Sequence, residues 1–464
     1  MFQLHLQPSR RIQHFKYKEC FEVVKVVVRT SRLVKLGSML ATVAIIGAAC
    51  ASNGNPSSSV GNESGVTDPA PASPSLTSPD LTLGSSTSLL PLSSDPVTGS
   101  ATPSLTVIEG VDEELERAQF SVRGWQTDFS KRAVPISGIF SGGPGKGGIP
   151  AIDNPQFESV KAADQWLGGQ QPVQVVDING EVKAYPLGIL IWHEIVNDTV
   201  GDVSVVITYC PLCNSALTFD RRLGNRLLEF DVSGNLRLSG MIMYDRQTET
   251  WWQQLEGVGI IGDLVGEQLT LIPSPVVSWK QFKSAHPDAA VLSRDTGFTR
   301  RYGSNPYSSH DTSSPFLFFE QTDGRLKLLD RIVAIDQGGE TVAFSFDVLA
   351  QEKVVPYTLD GNDLVVFFQA GTNSALDAST IAAGRDVGAT NVFRPFIEDQ
   401  QLTFQSTDNG FIDNETHIIW NLLGKGLIGP LAGTQLESVT HGNHFWFAWG
   451  MFKPDTVVYT GAGN

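Results

Sequence analysis

The 464-residue chain has only 4 cysteines and 5 methionines, and its 33 Lys and Arg fall well short of its 49 Asp and Glu. So few cysteines exclude a disulfide-dense scaffold. A formal charge of −16, with a sequence pI near 4.9, argues against a protein that binds nucleic acid by neutralising phosphates. The sequence also lacks a phosphate-binding Gly loop, a G-x-S-x-G elbow and a dinucleotide fingerprint, so the familiar nucleotide and serine-hydrolase chemistries have no foothold. What remains, 41% hydrophobic and 18% charged residues, suffices to bury a core and excludes a wholly disordered chain. No reaction is named by these features.

The composition changes along the chain. Residues 1–49 carry Arg10, Arg11, Lys16, Lys18, Lys25, Arg29, Arg32 and Lys35 against Glu19 and Glu22, so the rest is more acidic than the whole. The apolar run Leu36 to Ala49, about 14 residues, is too short for an ordinary spanning helix, which needs about 20. It fits the h-region of a signal peptide behind a basic n-region. The run ends Gly47-Ala48-Ala49-Cys50, which resembles a lipobox and makes Cys50 the candidate lipidation site, although Gly47 stands where an aliphatic residue is usual. Residues 50–105 follow as a Ser/Thr/Pro-rich tether too polar to offset its ordering entropy. The expectation is an exported lipoprotein at the extracytoplasmic face of the membrane, held there by a lipid anchor or an uncleaved leader.

The globular part, 111–464, contains an internal similarity. At an offset of 159, Asp177, Gly180-Glu181, Ala184 and Leu190 match Asp336, Gly339-Glu340, Ala343 and Leu349, and Asn214-Ser215-Ala216-Leu217 matches Asn373-Ser374-Ala375-Leu376. At an offset of 167, Gly262, Leu264, Gly266, Trp279 and Pro287 match Gly429, Leu431, Gly433, Trp446 and Pro454. The pattern predicts two tandem repeats, about 172–297 and 331–461, forming one pseudo-symmetric body. Strands are expected at Val203–Tyr209 and Leu364–Phe368, and helices at Leu187–Asn197 and from Trp279 to the stop at Pro287. The expected fold is predominantly β with short helices, of the α+β class.

Reactive residues present in one repeat only are the functional candidates. Cys210 and Cys213, in Tyr209-Cys210-Pro211-Leu212-Cys213-Asn214, face Gln369 and Thr372, and His193 faces Glu352. His441 and His444, beside Phe445-Trp446-Phe447, face Ser274 and Val277. Two thiolates at C-P-x-C spacing can chelate a soft or borderline ion or close a small redox-active disulfide. With no second C-x-x-C, a metal site would recruit His441, His444 or His193, and copper or zinc would suit such a donor set. Three readings stand. A metal site leads; a thiol–disulfide oxidoreductase, which requires an exposed first cysteine of low pKa, comes second; a non-enzymatic surface binding module with a structural disulfide comes third. His193-Glu194-Ile195-Val196-Asn197 begins like H-E-x-x-H but ends in Asn197. The charged runs 245–249 and 294–297 read as ion-paired loop anchors.

The phrases GGIPAIDNPQF at 147–157, GEVKAYPLGILIWHEIVNDTVGD at 180–202, VVITYCPLCNSALTFDRR at 205–222, MIMYDRQTETWWQQL at 241–255 and LSRDTGF at 292–298 resemble the uncharacterised prokaryotic family called domain of unknown function 3179. HGNHFWFAW at 441–449 and FKPDTVVY at 452–459 resemble its C-terminal end. The resemblance spans roughly residues 135–460 and implies an exported or surface-associated protein with a recurring C-P-L-C. Family members commonly carry Gly after the second cysteine, where this chain has Asn214.

Overall fold

Four two-residue turns shape the body. Asn179-Gly180, Gly201-Asp202, Gly338-Gly339 and Asp360-Gly361 all have positive φ at both positions, the backbone that lets a tight hairpin follow the right-handed twist of its strands. They join Pro172–Ile178 to Glu181–Pro186, Ile195–Val200 to Val203–Cys210, Arg331–Gln337 to Glu340–Ser345, and Val354–Leu359 to Asn362–Gln369. The computed structural model describes residues 111–461, which lie within one unit, Asp95–Asn464. The leader, Cys50 and the tether fall outside the described residues.

The protein is mostly β-strand, in several sheets with a few short helices. One sheet runs in the order Val276–Ser278, Pro172–Ile178, Glu181–Pro186, Ala290–Leu292, Phe157–Ser159. Another runs Gly442–Phe445, Arg331–Gln337, Glu340–Ser345, Val457–Tyr459. In both, the fourth strand pairs parallel with its neighbour in a sheet that is otherwise antiparallel. Among the described residues no helix is long and apolar enough to cross a membrane.

Between the hairpins of each half sits a seven-residue helix, Leu187–His193 and Phe346–Glu352. The first is shorter than the expected Leu187–Asn197. Glu194 adopts φ 59 and donates its N–H to Leu190 O at 2.7 Å, ending the helix, and the β-branched residues beyond it pair with Val203–Cys210 instead. Lys353 does the same in the other half, with φ 62 and an N–H to Leu349 O at 2.7 Å. The helix at Trp279 spans Trp279–Ala285, as its proline stop predicts, and opens on a capping box between Ser278 and Gln281.

The cores interlock across the halves. One cluster joins Cys210, Cys213 and Trp252 to Ile332, Phe445 and Trp446; another joins Val173, Trp279 and Phe282 to Phe367, Phe411 and Trp420. Each half also buries an aspartate under a tryptophan. Asp245 accepts from Trp252 Nε1 at 3.0 Å and Asp413 from Trp420 Nε1 at 2.9 Å, each also taking a hydroxyl from Thr248 or Thr416. Arg246 makes the ion pairs expected of its loop, with Asp153 and Asp231. Arg294 does not: its guanidinium lies over the Trp166 ring at 4.7 Å.

A side chain at positive φ costs about 1–2 kcal/mol that glycine avoids. Lys353 is exposed and makes no ion pair with a described residue, so Lys353→Gly is expected to raise the unfolding free energy by about 1 kcal/mol in urea titrations. A loss of stability would show that the lysine itself holds the fold.

Candidate functional site

The strand Val203–Cys210 carries its buried pattern to the first sulfur and then turns through Pro211, Leu212 and Cys213, so that Cys210 pairs with Ser215 across the hairpin. Asn214 closes the turn at φ 51, with its N–H on Pro211 O at 3.2 Å. Asparagine tolerates this backbone better than most residues with a side chain, which is why it can stand where family members commonly have glycine. Cys210 and Cys213 are free thiols with Sγ atoms 2.9 Å apart. Cys213 Sγ also lies 3.6 Å from Ser239 O.

Both sulfurs are buried, Cys210 1% exposed and Cys213 0%. The exposed first cysteine expected of a thiol–disulfide oxidoreductase is therefore not there. Burial, then the neighbouring Cys210, pushes the Cys213 thiol well above its ordinary range.

Glu194, thrown inward by the left-handed end of its helix, is the buried acid of the site. Its carboxyl is pushed up to about 7 by burial, although the Tyr307 hydroxyl donating to Oε1 at 3.2 Å pulls the other way. Burial, then Glu194, pushes Tyr307 up in turn. Tyr209 is raised chiefly by burial, and its hydroxyl has no hydrogen-bond partner among the described residues.

A strap from the segment between the halves covers these groups. Besides Tyr307 it brings His310, whose ring Nε2, assigned as the protonated nitrogen because it faces a carbonyl, donates to Leu212 O at 2.9 Å. Ser309 and His310 donate their N–H groups to Asp377 O and Leu376 O at 2.7 and 3.1 Å. Asp311 is gripped by Arg331, Arg385 and Ser374. Burial works to raise the Asp311 carboxyl, but Ser374 and Arg331 hold it below its usual range. Under the strap lies a cavity of about 340 Å³, lined by Ile149, Glu194, Leu212, Met241, Tyr307 and His310 among others.

The candidate histidines go elsewhere. His193 is tied through Nδ1 to Pro150 O at 2.8 Å and through Nε2 to Tyr302 at 2.7 Å. His441 donates from Nδ1 to Val439 O at 2.7 Å, and His444 stacks on Trp449 with ring centroids 5.2 Å apart. The strand bearing His444 does reach the cysteine turn, because Phe445 N–H donates to Cys213 O at 2.9 Å. Even so, among the described residues no group of three or more His, Cys, Asp or Glu side chains is placed to hold a metal ion. Of the candidate ligands, only Cys210 and Cys213 are in mutual contact; His193, His441 and His444 each meet other partners.

Sequence reasoning missed Glu194, Tyr307 and His310. One signal was available: the offset that sets Cys210 against Gln369 also sets Glu194 against Lys353.

A family model described as a protein of unknown function (DUF3179) matches residues 146–456. No curated protein and no solved structure gives a significant match.

Two opposite pH dependences are expected. Glu194 is raised in the folded state, so its contribution is full below its unfolded pKa, near 4.5, and is lost as pH rises through about 7. Glu194→Gln should remove that loss, on the order of 3 kcal/mol, from denaturant curves between pH 5 and 8. Burial lowers His441 to about 4 and His444 to about 3, the latter helped by His441. Their contribution is present above about 6.5 and lost as pH falls through those values. His444→Asn should flatten the acid limb; an unchanged limb would mean that the ring is not neutral in the folded protein.

Proposed function

Because this chain belongs to the domain of unknown function 3179 family, whose description assigns no activity, we propose its role from the site: a buried dithiol redox centre that exchanges with a small disulfide reaching it by way of the chamber under the strap, which is lined by Leu212 of the cysteine turn and by Glu194 but by neither sulfur. The observation that carries this reading is the 2.9 Å contact between Cys210 Sγ and Cys213 Sγ, beside a carboxyl titrating at about 7. A cavity of about 340 Å³ is at the small end of ligand-pocket sizes and does not admit a protein disulfide.

The step balances without further reagents. A small disulfide is attacked by Cys210 and forms a mixed disulfide, expelling one small thiol. Cys213, kept protonated by burial until then, attacks Cys210 Sγ and releases the second. The two cysteines lose two electrons and two protons, and the substrate gains both. Glu194, close to half ionised at neutral pH, takes the attacking thiol's proton and returns it to the leaving thiolate.

Cellular address and history complete the proposal. The basic leader, the Leu36 to Ala49 run and Cys50 support export and lipid attachment at the membrane. The equal lengths and common order of strands and helices from 172 to 210 and from 331 to 369 support a tandem duplication of one ancestral unit.

Reduced protein treated with hydroxyethyl disulfide should lose two hydrogens in intact mass. Cys210→Ser and Cys213→Ser should each abolish that change, and Glu194→Gln should slow it at least tenfold at pH 7. Wild-type protein that stays reduced would overturn the reading. A metal ion bound one per chain and lost in the double Cys→Ser variant would replace it with the copper or zinc site.

A further inference from the structure

A larger cavity, of about 1020 Å³, lies in the second half, and its lining includes Lys353, Phe368 and Gln369. These stand 159 residues beyond Glu194, Tyr209 and Cys210. The correspondence extends to the backbone. Glu194 and Lys353 share a positive φ of 59 and 62, and both their carbonyls accept from the strand opposite, Tyr209 N–H at 2.8 Å and Phe368 N–H at 2.9 Å. The same position in the fold thus presents a buried acid to the small chamber and an exposed base to the open one.

The remaining charges of the larger cavity divide into satisfied and free. Asp311 is saturated by Arg331, Arg385 and Ser374. Asp386 accepts the N–H groups of Gly371, Thr372 and Gly388, and Asp330 that of Lys327. Asp347 and Asp408 stay exposed and make no ion pair with a described residue. On the cationic side, Lys327 and Lys353 make no ion pair with a described residue, and the buried Nε of Arg331 has no hydrogen-bond partner among the described residues. Phe346, Phe368 and Phe411, all buried, supply apolar wall.

We propose that this cavity is a second ligand site that binds an organic anion, a carboxylate or phosphate head held by Lys353 and an apolar body set against the phenylalanines. Leaving a lysine at positive φ, where glycine costs less, fits a side chain kept for what it holds. The proposal does not depend on the dithiol reading, since Lys353 and the phenylalanines line this cavity and not the chamber under the strap.

Isothermal titration of the wild-type protein with phenyl phosphate, benzoate, inorganic phosphate and benzyl alcohol tests it. Phenyl phosphate or benzoate should bind once per chain and weaken with added salt, the tighter of the two identifying the head group. Lys353→Glu, which installs the charge of the other half, should weaken binding at least tenfold, Lys353→Arg should retain it, and the double Cys→Ser variant should bind as wild type. Binding of neither aromatic anion, equal binding of benzyl alcohol, equal binding of inorganic phosphate, or an unchanged affinity in Lys353→Glu would each overturn the proposal.

Discussion

A helix that must become a strand within one residue has little choice but to turn left-handed, and both halves of this protein meet that constraint without glycine. Glu194 and Lys353 take positive φ, close the last turn of their helices, and fix where the following hairpin enters its sheet. Because the backbone there is settled by two hydrogen bonds, the direction of each side chain is settled too. The carboxyl enters the core and the ammonium stays at the surface. Much of the chemistry proposed above therefore depends on which side chain stands at the residue that ends each of these helices.

Burial decides the charge state of nearly everything around the sulfurs. It raises Glu194, Tyr307, Tyr209 and Cys213 and lowers His441 and His444, so that each tends to be neutral. Arg331 and Asp311 are the counter-example, a pair kept charged because each satisfies the other. Among these groups Glu194 is the one whose proton is loosely enough held to move near neutral pH.

How much of this was legible depends on distance along the chain. The strands at Val203 and Leu364, the helix at Trp279 and the cysteine turn follow from local patterns and were readable. The helix end at His193 was not, because apolar spacing continues past Glu194 while the backbone does not. His193, His441 and His444 looked like ligands because residue type says nothing about which carbonyl or ring a histidine will meet. The strap at 307–313 was invisible, since its value comes from Leu212 and Asp377, both far off in sequence, and from Arg331, which lies in the strand that begins the second half.

That strap also has a bearing on the order of synthesis. Its anchors at Arg331, Leu376, Asp377 and Arg385, and the Phe445 amide that meets Cys213, all follow the cysteines by more than a hundred residues. A nascent chain therefore emerges with its thiol turn uncovered and encloses it only when the second half is complete. Until then the thiols meet whatever oxidants or reductants surround the growing chain, and the finished molecule inherits whichever state they reached.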